Sequence, residues 1–235
     1  PLVLGKDKLK LSKRRGALPV TEYKKLGFLP EAILNGVAFV GWNPGTEKEI
    51  YTYAELIKDF DLERVQKSPA IFNEEKLDWF NKEHMKLLSS EEIEKNILEW
   101  LPEKMRNPKL IPVIFERISK WSDVKDMAEK GELDFFFKLP EYNKEKLVYK
   151  NSSIEKVNEN LKLVINALEE INEENFTQEN IKNALMKVAD AAGNRGEILH
   201  PVRYALSGKD RSPDPFIIAS IIGKNETLLR LQKAI

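Results

Sequence analysis

Apolar residues recur at spacings of three and four along most of this chain, the period of helices that bury one face. The clearest run is Ile154, Val157, Leu161, Val164, Ile165, Leu168 and Ile171, opened by Ser152 with Glu155 three residues on, a capping-box spacing. Thr177 starts another helix through Ile181, Leu185 and Val188, and Gly193 closes it. Upstream, Thr52 with Glu55 precedes Leu56, Ile57 and Phe60. Asn73 caps a stripe of Leu77, Phe80, Leu87 and Leu88, and Ser89 with Glu92 repeats the box before Ile93, Ile97, Leu98 and Leu101. Pro102, Pro108 and Pro112 then punctuate the chain, and a helix resumes from Leu110 to Ile118. Pro30 suits a first turn, and Ala32, Ile33, Leu34, Val37, Ala38 and Val40 make that helix apolar almost all round. It is expected to be deeply buried and to end near Gly41.

Strand signals are few. Leu2-Val3-Leu4 is the best, and Asp134-Phe135-Phe136-Phe137 reads as a buried turn or strand. The fold class is mainly α, with a short β element at the start. Joints are expected near residue 89 and in the polar stretch from Pro140 to Ser153. A chain of 235 residues suggests two or three domains.

Charged residues make up 32% and no apolar stretch approaches the roughly 18–20 residues of a membrane helix, so an integral helical membrane protein is excluded. Cysteine is absent, which removes disulfides, thiolate metal sites and cysteine nucleophiles. Two histidines, His84 and His200, leave little material for zinc or serine–histidine chemistry, and both read as structural or surface residues. The chain opens at Pro1 with no signal-peptide pattern and is expected to be a cytoplasmic piece of something longer.

The net charge of zero hides a gradient. Residues 1–25 carry eight Lys and Arg against two acids, and residues 193–235 carry seven against four, so the middle is acidic. Two basic ends suit a polyanion gripped at separated places; an ordinary solvated surface is the plainer reading. Lys10-Leu11-Ser12-Lys13-Arg14 lies in the first basic stretch. Such a loop can set two ammonium groups against a triphosphate, with Ser12 and backbone N–H groups adding hydrogen bonds. In nucleotidyl transfer, negative charge builds on the departing pyrophosphate, so a lysine aimed there acts mainly in the transition state. The same residues also fit a plain basic loop or a nucleic-acid patch without chemistry.

The continuation narrows this. That pentapeptide, followed by Gly16-Ala17, Gly27-Phe28-Leu29-Pro30-Glu31-Ala32 and Gly41-Trp42, resembles the glutamyl-tRNA synthetases, class I aminoacyl-tRNA ligases. Asn43-Pro44-Gly45, Leu62 to Val65, Lys67 to Phe72, Pro201 to Gly208 and Leu228 to Leu231 extend the likeness end to end. The family signature is KMSKS; Leu11 and Arg14 stand where Met and the last Ser would be. The resemblance implies that Lys13 contacts ATP phosphates during glutamate activation, with Lys10 and Ser12 supporting the loop. It implies ATP and Mg2+ for the whole enzyme, tRNA for glutamate as partner, and no resident metal, catalysis or bound cofactor in this piece alone, since the family's HIGH motif and glutamate pocket have no counterpart here. Residues 1–88 would be the end of the catalytic core with a stem-contact domain. Residues 89–149 and 150–235 would be two helical anticodon-binding domains.

Single-stranded RNA is read by splaying, stacking and hydrogen-bonding its bases. Arg203 suits that task because its planar fork both pairs and stacks, and Val202, Ala205 and Leu206 would hold its helix rigid. Its plain alternative is a salt bridge to Glu197. Ser212-Pro213-Asp214-Pro215 is a stiff turn before a helix from Phe216 to Ile222, with Asp214 available as a simple cap. The resemblance assigns anticodon roles to Arg203, Ser212, Pro213 and Pro215, and makes Arg117 and Lys120 further candidates. Trp42, Trp79, Trp100 and Trp121 read as core. A free-standing RNA-binding protein and a helical scaffold are the competing classes, and a monomer is expected.

Overall fold

The computed structural model describes residues 1–15 and 17–235; Gly16 and the Arg15 side chain, part of the basic stretch above, lie outside the described residues. The protein is mainly α, as the periodicity predicts, and it divides into two compact units, Pro1–Glu129 and Lys130–Ile235.

In the first unit, β1 (Val3–Leu4) pairs in parallel with β2 (Ala70–Ile71), Val3 opposite Ala70 and Leu4 opposite Ile71. Seven helices follow in chain order: α1 (Val20–Lys25), α2 (Pro30–Ala38), α3 (Tyr53–Asp59), α4 (Glu74–Met85), α5 (Ser90–Trp100), α6 (Ile111–Arg117) and α7 (Ser122–Glu129). The expected starts hold. Ser89 and Glu92 close a reciprocal capping box on α5, Thr52 and Glu55 close one on α3, and Asn73 accepts from Glu75 and Lys76 at the head of α4. Leu87 drops out of its expected stripe because α4 ends at Met85, and it stands exposed.

Helix α2 corrects the sequence reading. It stops at Ala38, and while Ala32, Asn35 and Gly36 are buried, Leu34 and Val37 are 40% and 52% exposed. One face explains the burial: Gly36 sits so close to Leu77 that an added Cβ would lie 2.7 Å from its Cδ1, and α2 packs on α4 there. Asn35 then stitches three segments, accepting from Tyr51 N at 2.8 Å, donating to Glu49 O at 3.0 Å, and meeting His84 Nε2 at 3.0 Å. His84 is thus the buried structural residue expected, its ring pKa pushed down by burial. The other face of α2 opens on an apolar groove of about 920 Å³ shared with Leu18, Val20, Ile57 and Phe60.

Neither expected joint is where packing divides the chain. The loop after α1 holds the start of α7, with Trp121 N donating to Gly27 O and Ser122 N to Leu26 O. Gly27 has φ +77, and a Cβ there would lie 2.6 Å from that of Trp121, so only glycine fits the turn and the close approach together. Residues past 89 therefore belong to the first unit. Phe135 and Leu147 are buried with the later helices, so 130–149 belong to the second. Asp134–Phe136 is a short 3-10 turn, the buried-turn alternative.

The second unit packs α8 (Ile154–Glu169), α9 (Gln178–Ala192), α10 (Arg195–Ser207), α11 (Pro215–Ile222) and α12 (Lys224–Ala234). Val157, Leu161, Val164, Ile165 and Leu168 are buried as their spacing requires. The cap is Ser153, whose Oγ accepts from Lys156 N, one residue beyond the expected Ser152. Pro201 lies inside α10 and has no N–H for the carbonyl four residues back. The buried Asn160 amide fills that gap, donating to Glu197 O at 3.1 Å.

One cap carries a pH signature. Glu55, in the box on α3, is held down to about 2 from 4.5, first by the hydrogen bond from Lys48 and then by those from Thr52. A carboxyl with a lowered folded value adds stability that is complete above its unfolded value and drains as pH falls through the folded one. The box is therefore expected to persist below pH 4.5 and to open towards pH 2, followed as the Glu55 carboxyl shift in an NMR titration. Titration at the ordinary value would show that the Lys48 bond is absent in solution.

Candidate functional site

The basic stretch folds back on β1. Gly5 N donates to Leu9 O and Lys8 N to Gly5 O, with Lys8 itself in the left-handed region at φ 61. Leu9 N bonds Asp7 Oδ1 at 3.0 Å, Leu11 N bonds Val3 O at 3.0 Å, and Leu4 and Lys10 form an antiparallel bridge. Lys10 and Leu11 are therefore tied to β1 by one bridge and one hydrogen bond, and Lys13–Arg15 turn as a 3-10 helix, with Ala17 N donating to Ser12 O. Lys10, Lys13 and Arg14 are exposed and Ser12 is half-buried. Lys6 is bound to Glu75 at 2.7 Å, whereas among the described residues Lys10 and Lys13 make no ion pair. Two exposed ammonium groups without an ion pair among the described residues have the charge to attract a polyanion.

Among the described residues no group of three or more His, Cys, Asp or Glu side chains is placed to hold a metal ion. No helix of the described residues is long and apolar enough to cross a membrane.

The second candidate region centres on the end of α10. Arg203 is half-buried, and its Nη1 donates to Lys209 O at 3.1 Å and to Ser212 Oγ at 3.0 Å. Glu197, the expected alternative partner, instead accepts from Asn194 at 3.1 Å. Two of the expected anticodon residues are therefore one hydrogen-bonded unit, and Pro213 follows directly, its carbonyl meeting Ser212 Oγ at 3.3 Å.

 Pro215 is buried in the first turn of α11, where its fixed φ suits the start of the helix. Asp214 occupies the cap position without a side-chain bond.

Around this pair lies a set of contacts that the sequence did not reveal. Lys146 Nζ binds Asp210 at 2.8 Å across 64 residues, and the hydrogen bond from Lys146, with attraction from Arg203 and His200, holds the Asp210 carboxyl below its usual range. His200 Nε2 meets Lys146 O at 2.9 Å, and its ring stacks near-parallel to Tyr204. Of the other candidates, Lys120 is engaged by Asp78 and Asp123, a structural use, and Arg117 is exposed. Trp42 and Trp121 are core as expected, whereas Trp79 is 36% exposed beneath the Lys76 ammonium.

Comparison with known proteins places the chain in a family. The family of class I tRNA synthetases (E and Q), catalytic domain, matches residues 1–79, and the anticodon binding domain family matches residues 75–235. A glutamate–tRNA ligase of Clostridium kluyveri is 38% identical over 234 residues, covering 96% of this chain and 47% of that protein. One from Clostridium botulinum is 35% identical over 231 residues with the same coverage. The crystal structure of a glutamate tRNA ligase from Elizabethkingia meningosepticum in complex with its amino acid superposes with a TM-score of 0.80 at 34% identity, over 99% of this chain and 50% of that one. The chain spans about half the length of the curated relatives it matches. With the end of a class I catalytic domain running into an anticodon-binding domain, the chain belongs to the glutamyl-tRNA synthetase family and corresponds to its C-terminal part.

Proposed function

We propose that this chain is the tRNA-reading part of a cytoplasmic, monomeric glutamate–tRNA ligase and lends its KMSKS-like loop to glutamate activation. In that reaction a glutamate carboxylate oxygen attacks the α-phosphorus of ATP, the bond to the β-phosphate breaks, and pyrophosphate leaves. A ribose hydroxyl at the end of tRNA for glutamate then attacks the adenylate carbonyl and AMP leaves. Lys13, with Lys10 and Ser12 beside it, would meet the phosphates as charge builds on the leaving group. Magnesium would accompany ATP. The stem would lie against residues 1–88 and the anticodon against 89–149 and 150–235, with Arg203, Ser212 and Pro213 at the bases and Pro215 setting the turn behind them.

The observation that carries this reading is the Arg203–Ser212 pair, a guanidinium held at one edge by a loop hydroxyl and a carbonyl. Its remaining donors are available to a base edge, which carries identity, whereas a phosphate contact does not. Filter binding of the 235-residue chain to tRNA for glutamate and to an anticodon-altered tRNA, at two salt concentrations, tests it. Affinity is expected to fall steeply with salt. Arg203→Ala is expected to cost about 1–3 kcal/mol, more on the cognate tRNA. Lys209→Ala, which keeps the carbonyl that Arg203 uses, should weaken both tRNAs about equally. Equal losses for Arg203→Ala on both would reduce it to a generic cation.

A further inference from the structure

Arg230 lies between Leu229 and Leu231 on α12 and is 2% exposed, yet every edge of its guanidinium is used. Nη1 donates to Leu206 O at 2.7 Å and to Phe135 O at 2.6 Å, Nη2 to Lys138 O at 3.2 Å, and Nε to Glu226 Oε1 at 2.7 Å. A buried cation persists only when paired and fully hydrogen-bonded, and an arginine fork is the side chain able to join carbonyls from separate segments. Leu206 O is one of the last carbonyls of α10, which have no partner within the helix, and positive charge at that end also suits the helix dipole.

The turn fixed in this way is the one that holds Arg203. Ser207 Oγ donates to Arg203 O at 2.8 Å and accepts from Lys209 N at 3.2 Å. Gly208 then reverses the chain at φ +64, where a Cβ would lie 2.9 Å from that of Pro140. Lys209 and Ser212 follow, carrying the two oxygens that receive the Arg203 guanidinium. We propose that Arg230 is a positioning residue for anticodon recognition: by tying the last turn of α10 to the 135–138 segment, it holds the Arg203 fork in one orientation before RNA arrives. The inference rests on the anticodon reading of Arg203.

The test uses the full chain with cognate and anticodon-altered tRNA, comparing Arg203→Ala, Arg230→Lys and the double variant. Lysine keeps the charge and loses the fork. Arg230→Lys is expected to lower the preference for cognate tRNA about fivefold or more, the lower range of a lost base contact. The salt slope should stay unchanged, since no phosphate contact is removed. The double variant should lose no more preference than Arg203→Ala, because both act through one guanidinium. If Arg203→Ala lowers the preference while a folded Arg230→Lys does not, the positioning role is overturned and the anticodon reading stands. If Arg203→Ala itself leaves the preference intact, both fall. Should Arg230→Lys lose its helical circular dichroism, Glu226→Ala takes its place, removing one anchor at a partly exposed position. Reduced preference with intact helix content then supports the role, and unchanged preference overturns it.

Discussion

Lys13→Ala, in a ligase that joins this chain to a complete nucleotide-binding half, is expected to slow glutamate-dependent pyrophosphate exchange by about 10²–10³, or about 3–4 kcal/mol, while glutamate affinity changes little. The reason is where the charge develops. Ground-state ATP already carries its phosphates among water and counterions, whereas the departing pyrophosphate gains charge only as the bond breaks, so a fixed ammonium is worth most at that moment. Lys13 is suited to this because its backbone is set by the turn after Ser12 and its side chain is exposed without an ion pair among the described residues. Lys10→Ala, at the bridge to Leu4, should have the smaller effect. The 235-residue chain alone is expected to show no exchange, its described residues having a single two-stranded sheet in place of a nucleotide-binding sheet. Normal exchange by the Lys13→Ala ligase would remove the phosphate role.

Leu161→Ala is expected to destabilise the second unit by about 2–5 kcal/mol, the usual range for emptying a fully buried leucine site. Leu161 is 0% exposed at the middle of α8, the helix that packs against α9, α10 and α12, so few neighbours can collapse into the space without moving a helix. Denaturant unfolding followed by far-UV circular dichroism is the measurement, with tryptophan fluorescence as companion. All four tryptophans lie in the first unit, so their signal reports that unit and the dichroism reports both. A dichroism curve unchanged from the parent would mean that the core is not packed as described.

What could be read in advance depended on the range of the interaction. Caps and stripes are local: Thr52, Asn73, Ser89 and Thr177 each satisfy N–H groups two or three residues away, so their spacing alone marks helix starts. The burial of α2 was misjudged because its apolar residues describe what the helix would favour, while which face is covered depends on α4, some forty residues further on. The two packed units could not be read in advance for a similar reason, since the tie between Gly27 and Trp121 has no signature in either stretch alone. In the candidate sites, Lys10, Lys13, Arg203 and Ser212 were legible from motif and order, and the Arg203–Ser212 bond joins two of them. Arg230 was not singled out, although a lone arginine between leucines, four residues after Glu226, is the pattern of a buried, paired cation.

The proline inside α10 has a consequence for how this sequence can change. Pro201 and Asn160 share one carbonyl, that of Glu197: the ring leaves it bare and the amide covers it. Replacing proline with alanine supplies an N–H that competes for the same oxygen and leaves a buried amide whose Oδ1 already has no partner. Replacing asparagine with leucine strands the carbonyl, and an unsatisfied buried group costs about 1–3 kcal/mol. Each single step is therefore uphill, while the two together restore an ordinary helix packed on an apolar neighbour. The positions form a ratchet, passable as a pair and resistant one at a time, and the order in which a lineage could cross it is set by which orphaned group the surrounding core tolerates better.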